Sequence, residues 1–143
     1  MKPHERPNSP PARRGAVGVI VEQGKFLVIR RAPHISAGGK ICFPGGGIEP
    51  GEAEEAALIR ELWEELRVRV RPVRRLWESV TPWNVHLAWW LAVRIDAVPI
   101  DPQADEVSEY RWLDSTELLA EADLLASNRD FLAAVAAGEF TLD

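Results

Sequence analysis

From residue 16 onward the chain alternates between short apolar runs and amphipathic stretches, a pattern that predicts strands interspersed with helices. AVGVIV (16–21) and KFLVIR (25–30) are β-rich runs separated by Glu22-Gln23-Gly24, which predicts a hairpin with glycine at its turn. Residues 32–40, APHISAGGK, read as a loop through Pro33, Gly38 and Gly39. ICF (41–43) is a short strand stopped by Pro44, followed by a loop of three glycines, Gly45 to Gly47, and a second turn at Pro50-Gly51.

The clearest helix covers residues 52–66, which hold no Gly or Pro and are rich in Ala, Leu and Glu. At 100° per residue Leu58, Ile59, Leu62 and Leu66 share one arc and Glu61, Glu64 and Glu65 another. Residues 68–80, VRVRPVRRLWESV, alternate well enough for a strand broken at Pro72. HLAWWLAVRID (86–96) alternates strictly. Leu87, Trp89, Leu91, Val93 and Ile95 take one side and His86, Ala88, Trp90, Ala92 and Arg94 the other. An acidic loop (101–109) leads to the short strand YRWL (110–113). Two helices close the pattern: Asp114 with Glu117 predicts the cap of the first, and Ser127 with Asp130 that of the second, which stops at Gly138. The sum is an α/β fold with a mixed sheet covered on both faces.

Before residue 14 there is almost nothing apolar. Pro3, Pro7, Pro10 and Pro11 make residues 1–13 a flexible tail, leaving 14–143 as one domain, the number that 143 residues suggest. The tail has basic residues but no apolar stretch after them, so it does not read as a secretory signal. No apolar run approaches the ~18 residues that a membrane span needs. The single cysteine, Cys42, excludes an internal disulfide framework and reads as a small apolar filler. A cytoplasmic location is the expectation.

The formal charge of −5 argues against long nucleic acid as a partner. Its distribution is uneven. Residues 1–95 hold 15 Lys/Arg and 10 Asp/Glu, whereas residues 96–143 hold 2 and 12. A basic front with an acidic back leaves room for a local anion site.

Glu61, Glu64 and Glu65 stand at i, i+3 and i+4, so their carboxylates converge on one helix face. They also lie in the last two turns, at the negative end of the helix dipole, where each like-charge pair costs a few tenths of a kcal/mol. A divalent cation on that face would explain the arrangement. Mg²⁺, with Mn²⁺ as a substitute, takes carboxylate oxygens and keeps waters that a phosphate can replace. The competing reading is a solvated acidic face. Glu54 and Glu55 take that reading, as first-turn acids that help the helix start.

The stretch GGIEPGEAEEAALIRELWEELRV, residues 46–68, resembles the Nudix box. The family pattern is Gly, five residues, Glu, seven residues, then Arg-Glu-U-x-Glu-Glu-x-Gly-U, with U aliphatic. Gly46, Glu52, Arg60, Glu61, Leu62, Glu64, Glu65 and Val68 fall on it at the right spacing. Arg67 stands where the family has the glycine that ends the helix. A non-glycine residue in the left-handed conformation expected there costs on the order of 1 kcal/mol.

The resemblance implies an α/β/α sandwich with a catalytic loop-helix that hydrolyses a nucleoside diphosphate linked to another moiety. It casts Glu61, Glu64 and Glu65 as metal ligands, helped by the backbone carbonyl of Gly46, and pairs Arg60 with Glu52 to hold the box rigid. Glu61 is the first choice for the base that takes a proton from water. MutT-type members carry a further metal-binding acid where Glu106 stands; the alternative is a solvated loop acid. IRRAPHISAGGKICFPGG also resembles the MutT-type arrangement. Arg30 and Arg31 alternate in their strand, so one alone faces the cleft, and Arg31 matches the phosphate-contacting position. Gly47 departs from the lysine that MutT-type boxes often carry, and Lys40 reads as a loop lysine.

Trp83 and Trp90 are each open to two readings, pocket wall or core, while Trp89 reads as core. His34 and His86 have no partners at ligand spacing. The expected substrate is a small nucleotide. A (deoxy)nucleoside triphosphate, oxidised forms included, is preferred, with cleavage to monophosphate and pyrophosphate. ADP-ribose or another sugar nucleotide is the enzymatic alternative, with dinucleoside polyphosphates a third. A Nudix-fold module that senses a nucleotide without cleaving it is the rival from another class, although such modules typically lose box glutamates and this chain keeps them. The expected assembly is a monomer or homodimer.

Overall fold

The computed structural model describes residues 13–143. The tail assigned to residues 1–13 therefore lies outside the described residues up to position 12, and Arg13 already opens the first strand. The elements are β1 (Arg13–Val19), β2 (Val21–Glu22), β3 (Lys25–Arg31), β4 (Ile41–Cys42), β5 (Gly45–Gly47), α1 (Glu54–Leu66), β6 (Val70–Val80), β7 (Val85–Arg94), β8 (Val107–Leu113), α2 (Ser115–Leu119) and α3 (Ala126–Ala136). Among these residues no helix is long and apolar enough to cross a membrane.

The expected mixed sheet is one of two. Strands β5-β1-β7-β6 form it, with β1 parallel to β7 and the other pairs antiparallel. The second sheet is antiparallel throughout: β3 pairs with β8 along one edge and with β2 and β4 along the other. Alternation along the strands sends side chains to two cores. Ala16, Ile20, Leu27, Ile29, Cys42 and Ala92 pack with Ala57, Leu58, Leu62 and Leu66 of α1. Val19, Phe26, Val28, Ile41, Trp89 and Leu91 pack with Leu118 of α2 and with Phe131 and Leu132 of α3. The strands are thus sandwiched between α1 and the two C-terminal helices.

Trp89 is core, as expected: it is fully buried and stacks on Phe131 with ring centroids 4.7 Å apart and planes within 9°. On the other face, α1 comes so close that a Cβ at Gly18 would stand 3.1 Å from Leu58 Cδ1.

Several elements differ from the sequence reading. The three glycines form strand β5, because backbone pairing of Gly45, Gly46 and Gly47 to Val17, Ala16 and Gly15 needs no side chain. The helix begins at Glu54, not 52, since the Glu52 carboxylate turns back to accept from the Glu49 N–H at 3.0 Å and holds the preceding turn. Ile59 is 44% exposed, at the margin of the apolar arc.

Pro72 does not break its strand. It pairs with Ala92, and two register shifts follow it in β6, the outer strand of its sheet, where a missing N–H is tolerated. The Asp114–Glu117 capping box is present. The Ser127–Asp130 cap is not: α3 starts two residues earlier, with Leu125 at the N-cap, where the Leu125 N–H donates to Ile41 O at 3.0 Å and the buried Asn128 accepts from the Phe43 N–H at 2.8 Å.

Candidate metal centre

Three carboxylates converge between α1 and the loop that precedes β8. Glu61, Glu65 and Glu106 each place an oxygen within 4.8 Å of the other two. Glu65 is 4% exposed and accepts a hydrogen bond from the Gly45 N–H at 3.0 Å. Glu61 lies against Gly46, where an added Cβ would collide with its carboxylate, so the cradle requires glycine. Glu106 arrives on a loop tied to both neighbours: its carbonyl accepts from the Ala32 N–H at 2.9 Å, and the Gln103 N–H donates to Glu65 O at 2.8 Å.

The electrostatics of the cluster follow from its burial. Burial pushes the Glu65 carboxyl up to about 8, opposed by the Gly45 N–H and reinforced by the charges of Glu61 and Glu106. Glu61 is also raised, first by burial, with Arg60 acting against it. Three anionic groups this close are disfavoured until a cation joins them. The donor set is oxygen only, the chemistry that Mg²⁺ and Mn²⁺ accept, and the missing side chain of Gly46 lets the Glu61 carboxylate lie against the β5 backbone. The residues present fit a hard divalent cation.

Arg60 holds the acids of the box in place. Its Nε and one terminal nitrogen donate to the two oxygens of Glu52, each at 2.9 Å, the bidentate pairing that suits a guanidinium. The same terminal nitrogen donates to Gly47 O at 2.9 Å, and the other reaches Glu61 Oε1 at 2.9 Å. Arg60 in turn holds the Glu52 carboxyl down at about 2, with help from the Glu49 N–H. The expected Arg60–Glu52 pair is therefore in place, and it reaches Glu61 directly.

Glu64 does not join the cluster. Its side chain is 45% exposed, and its partner is Arg60 at 3.4 Å. Glu106, which spacing left open, stands inside. Arg30 and Arg31 separate as the alternation requires. Arg30 donates to Gly39 O at 2.7 Å and pairs with Asp123 and Glu109 at 3.1 and 3.2 Å. Arg31 shares the face of Leu27 and Ile29, steadied by donation from its Nε to Ser36 O at 2.8 Å.

Among the other residues singled out, Trp83 is 82% exposed at the β6–β7 turn and lines no wall. Trp90 is half-buried and donates its indole N–H to Glu54 Oε1 at 2.8 Å. Cys42 is buried and its thiol is pushed up to about 12 by that burial, consistent with a filler. Lys40 and His34 are exposed in the loop before β4, and His86, also exposed, meets Asn84 at 3.2 Å. Sequence reasoning took Glu54 for a solvated first-turn acid, whereas its side chain is 19% exposed and bonded to Trp90 and Arg75, and it did not anticipate the Gly45 amide. The signal for Glu54 was its place seven residues before Glu61, on the same helical stripe.

Residues 12–135 match the NUDIX domain family. The chain is 33% identical over 99 residues to the NAD-capped RNA hydrolase NudC of Chromobacterium violaceum. That alignment covers 69% of this chain but 37% of the relative, so the chain spans little more than a third of the NudC protein it matches. It is 31% identical over 110 residues to the 8-oxo-dGTP diphosphatase of Escherichia coli, covering 74% of this chain and 83% of that one. The crystal structure of a MutT protein from Methanosarcina mazei superposes with a TM-score of 0.76, at 23% identity, over 89% of this chain and 94% of the other. With the family pattern spanning nearly all the described residues, the chain belongs to the Nudix family.

Proposed function

We propose that the chain hydrolyses a phosphoanhydride bond of a (deoxy)nucleoside triphosphate, oxidised forms included, to the monophosphate and pyrophosphate. The convergence of Glu61, Glu65 and Glu106, with Glu61 lying against Gly46, carries this reading. Those three carboxylates, with the Gly46 carbonyl, would hold Mg²⁺ or Mn²⁺, and Glu64 stands at the rim. When bound, the cation neutralises the phosphates and lowers the pKa of a coordinated water.

The chain's own residues do the rest. Glu61 accepts the proton as a water oxygen bonds to phosphorus and the anhydride P–O bond breaks. Arg60, locked by Glu52, orients Glu61. Glu65 is fixed by the Gly45 amide. Arg31 takes the phosphate-contacting role, a reading supported by its share of the strand face with Leu27 and Ile29.

The triphosphate preference is supported by the 8-oxo-dGTP diphosphatase, which this chain matches over most of that enzyme's length. A second reading, a dinucleotide or sugar-nucleotide pyrophosphatase of the ADP-ribose type, is favoured by the 33% identity to an NAD-capped RNA hydrolase.

One experiment separates these readings. Nucleoside triphosphates, oxidised deoxynucleoside triphosphates, ADP-ribose, NAD and dinucleoside polyphosphates are incubated with Mg²⁺ and the products identified. Release of pyrophosphate from a triphosphate is the expected result. Cleavage confined to ADP-ribose or NAD moves the assignment to the second reading. Nucleotide binding without turnover of any member makes the chain a sensor.

A further inference from the structure

Helix α1 carries Glu61 and Glu65, yet nothing caps its start: Ala53 occupies the N-cap position and offers no side-chain hydrogen bond. What anchors this end is Glu54. Its carboxylate, 19% exposed, accepts from the Trp90 indole at 2.8 Å and from Arg75 Nε at 3.0 Å, and meets Arg14 at 3.4 Å. These partners belong to β7, β6 and β1, so a single carboxylate links the first turn of α1 to three strands of one sheet. Glu55 beside it is exposed and makes no such contacts among the described residues. A dipole effect is shared by both acids; the three-strand tie belongs to Glu54 alone.

Glu54 and Glu61 are seven residues apart. They lie on one stripe of the helix, about 10 Å apart along its axis. Leu58 and Leu62 pack against Gly18, and the polar ties of the second half of α1 run from Arg60 to Gly47 O and from Glu65 to the Gly45 and Gln103 amides. At the first turn the directional contacts are those of Glu54. A cleft of about 210 Å³ lined by Arg14, Ile48, Glu54, Arg75 and His86 opens beside the tie, so water screens its charges, and its effect is on geometry more than on stability.

We propose that Glu54 is a positioning residue that sets where α1 presents Glu61 and Glu65, an inference that rests on the metal-centre reading above. The test measures Mn²⁺ binding without nucleotide, from the paramagnetic resonance of the free ion. E54A is expected to weaken Mn²⁺ binding by about tenfold and to lower kcat with little change in KM. E54Q, which keeps an acceptor for Trp90, recovers most of the loss, and E55A binds as the unsubstituted protein does. L118A, destabilised in the opposite core, keeps its Mn²⁺ affinity at a temperature where it is folded. If E54A does not fold, W90F carries the test, with a smaller loss in the same direction.

Unchanged Mn²⁺ affinity in E54A, or in W90F where E54A does not fold, overturns the proposal, as does a loss in L118A or E55A equal to that in E54A. Failure of the unsubstituted protein to bind Mn²⁺ at all would instead sink the metal-centre reading beneath it.

Discussion

At the scale of single residues, the site depends on small differences between neighbours of the same type. Glu61, Glu64 and Glu65 look equivalent in the sequence, yet one is nearly buried, one is half-exposed and one leans on a glycine. Helical spacing shows that carboxylates share a face; it does not show what the facing strand leaves open. Gly46 decides that for Glu61. Gly46→Ala pushes aside the end of a flexible side chain and no backbone, so the fold should hold its melting temperature while kcat falls ~10²-fold. Steady-state kinetics beside thermal unfolding checks this. Glu65 leads to a pH prediction. With chelator present, the folded protein keeps on Glu65 up to about 8 a proton that the unfolded chain releases near 4.5. That contribution to stability is complete below pH 4.5 and lost as pH rises through 8. Between pH 5 and 8 the chelated protein should therefore lose more stability than its E65Q variant, as read from melting temperatures.

At the scale of elements, the helix was legible and its ends were not. Glu52 carries a helix former's propensity, but the Arg60 pair and the Glu49 amide draw its carboxylate into the turn before α1. Such contacts over long separations have no local signature. Arg67 was readable: it ends α1 at φ 53°, the left-handed conformation expected where the family has glycine. Its side chain compensates in part, donating to Trp63 O at 2.9 Å and lying 5.4 Å from the Trp63 ring centroid. Arg67→Ala loses that compensation and keeps the strained backbone, whereas Arg67→Gly relieves it. Urea unfolding should find R67G more stable than R67A by about 1 kcal/mol.

For the whole molecule, the sequence pattern led to the α/β class and to helices on both faces. It missed the division of the strands into two sheets, because alternation shows which face a residue takes and not which strands pair. The metal-centre reading also has a consequence for the fold as a whole. A cation bound by the folded state alone stabilises it by mass action, by about 2.7 kcal/mol at a concentration a hundredfold above Kd. Mg²⁺ should therefore raise the urea midpoint of the protein. The doubly substituted E61Q/E65Q protein should show no such response.

The bulged outer strand β6 also bears on edge-to-edge aggregation. An eleven-residue strand with one side unpaired is a template on which another chain could be laid. Pro72 removes a donor from that template, the register shifts on either side of Arg75 break its straightness, and Arg71 and Arg74 add like charge. The irregularity that seemed to end the strand in the sequence thus leaves no straight, uncharged run long enough to seed an aggregate.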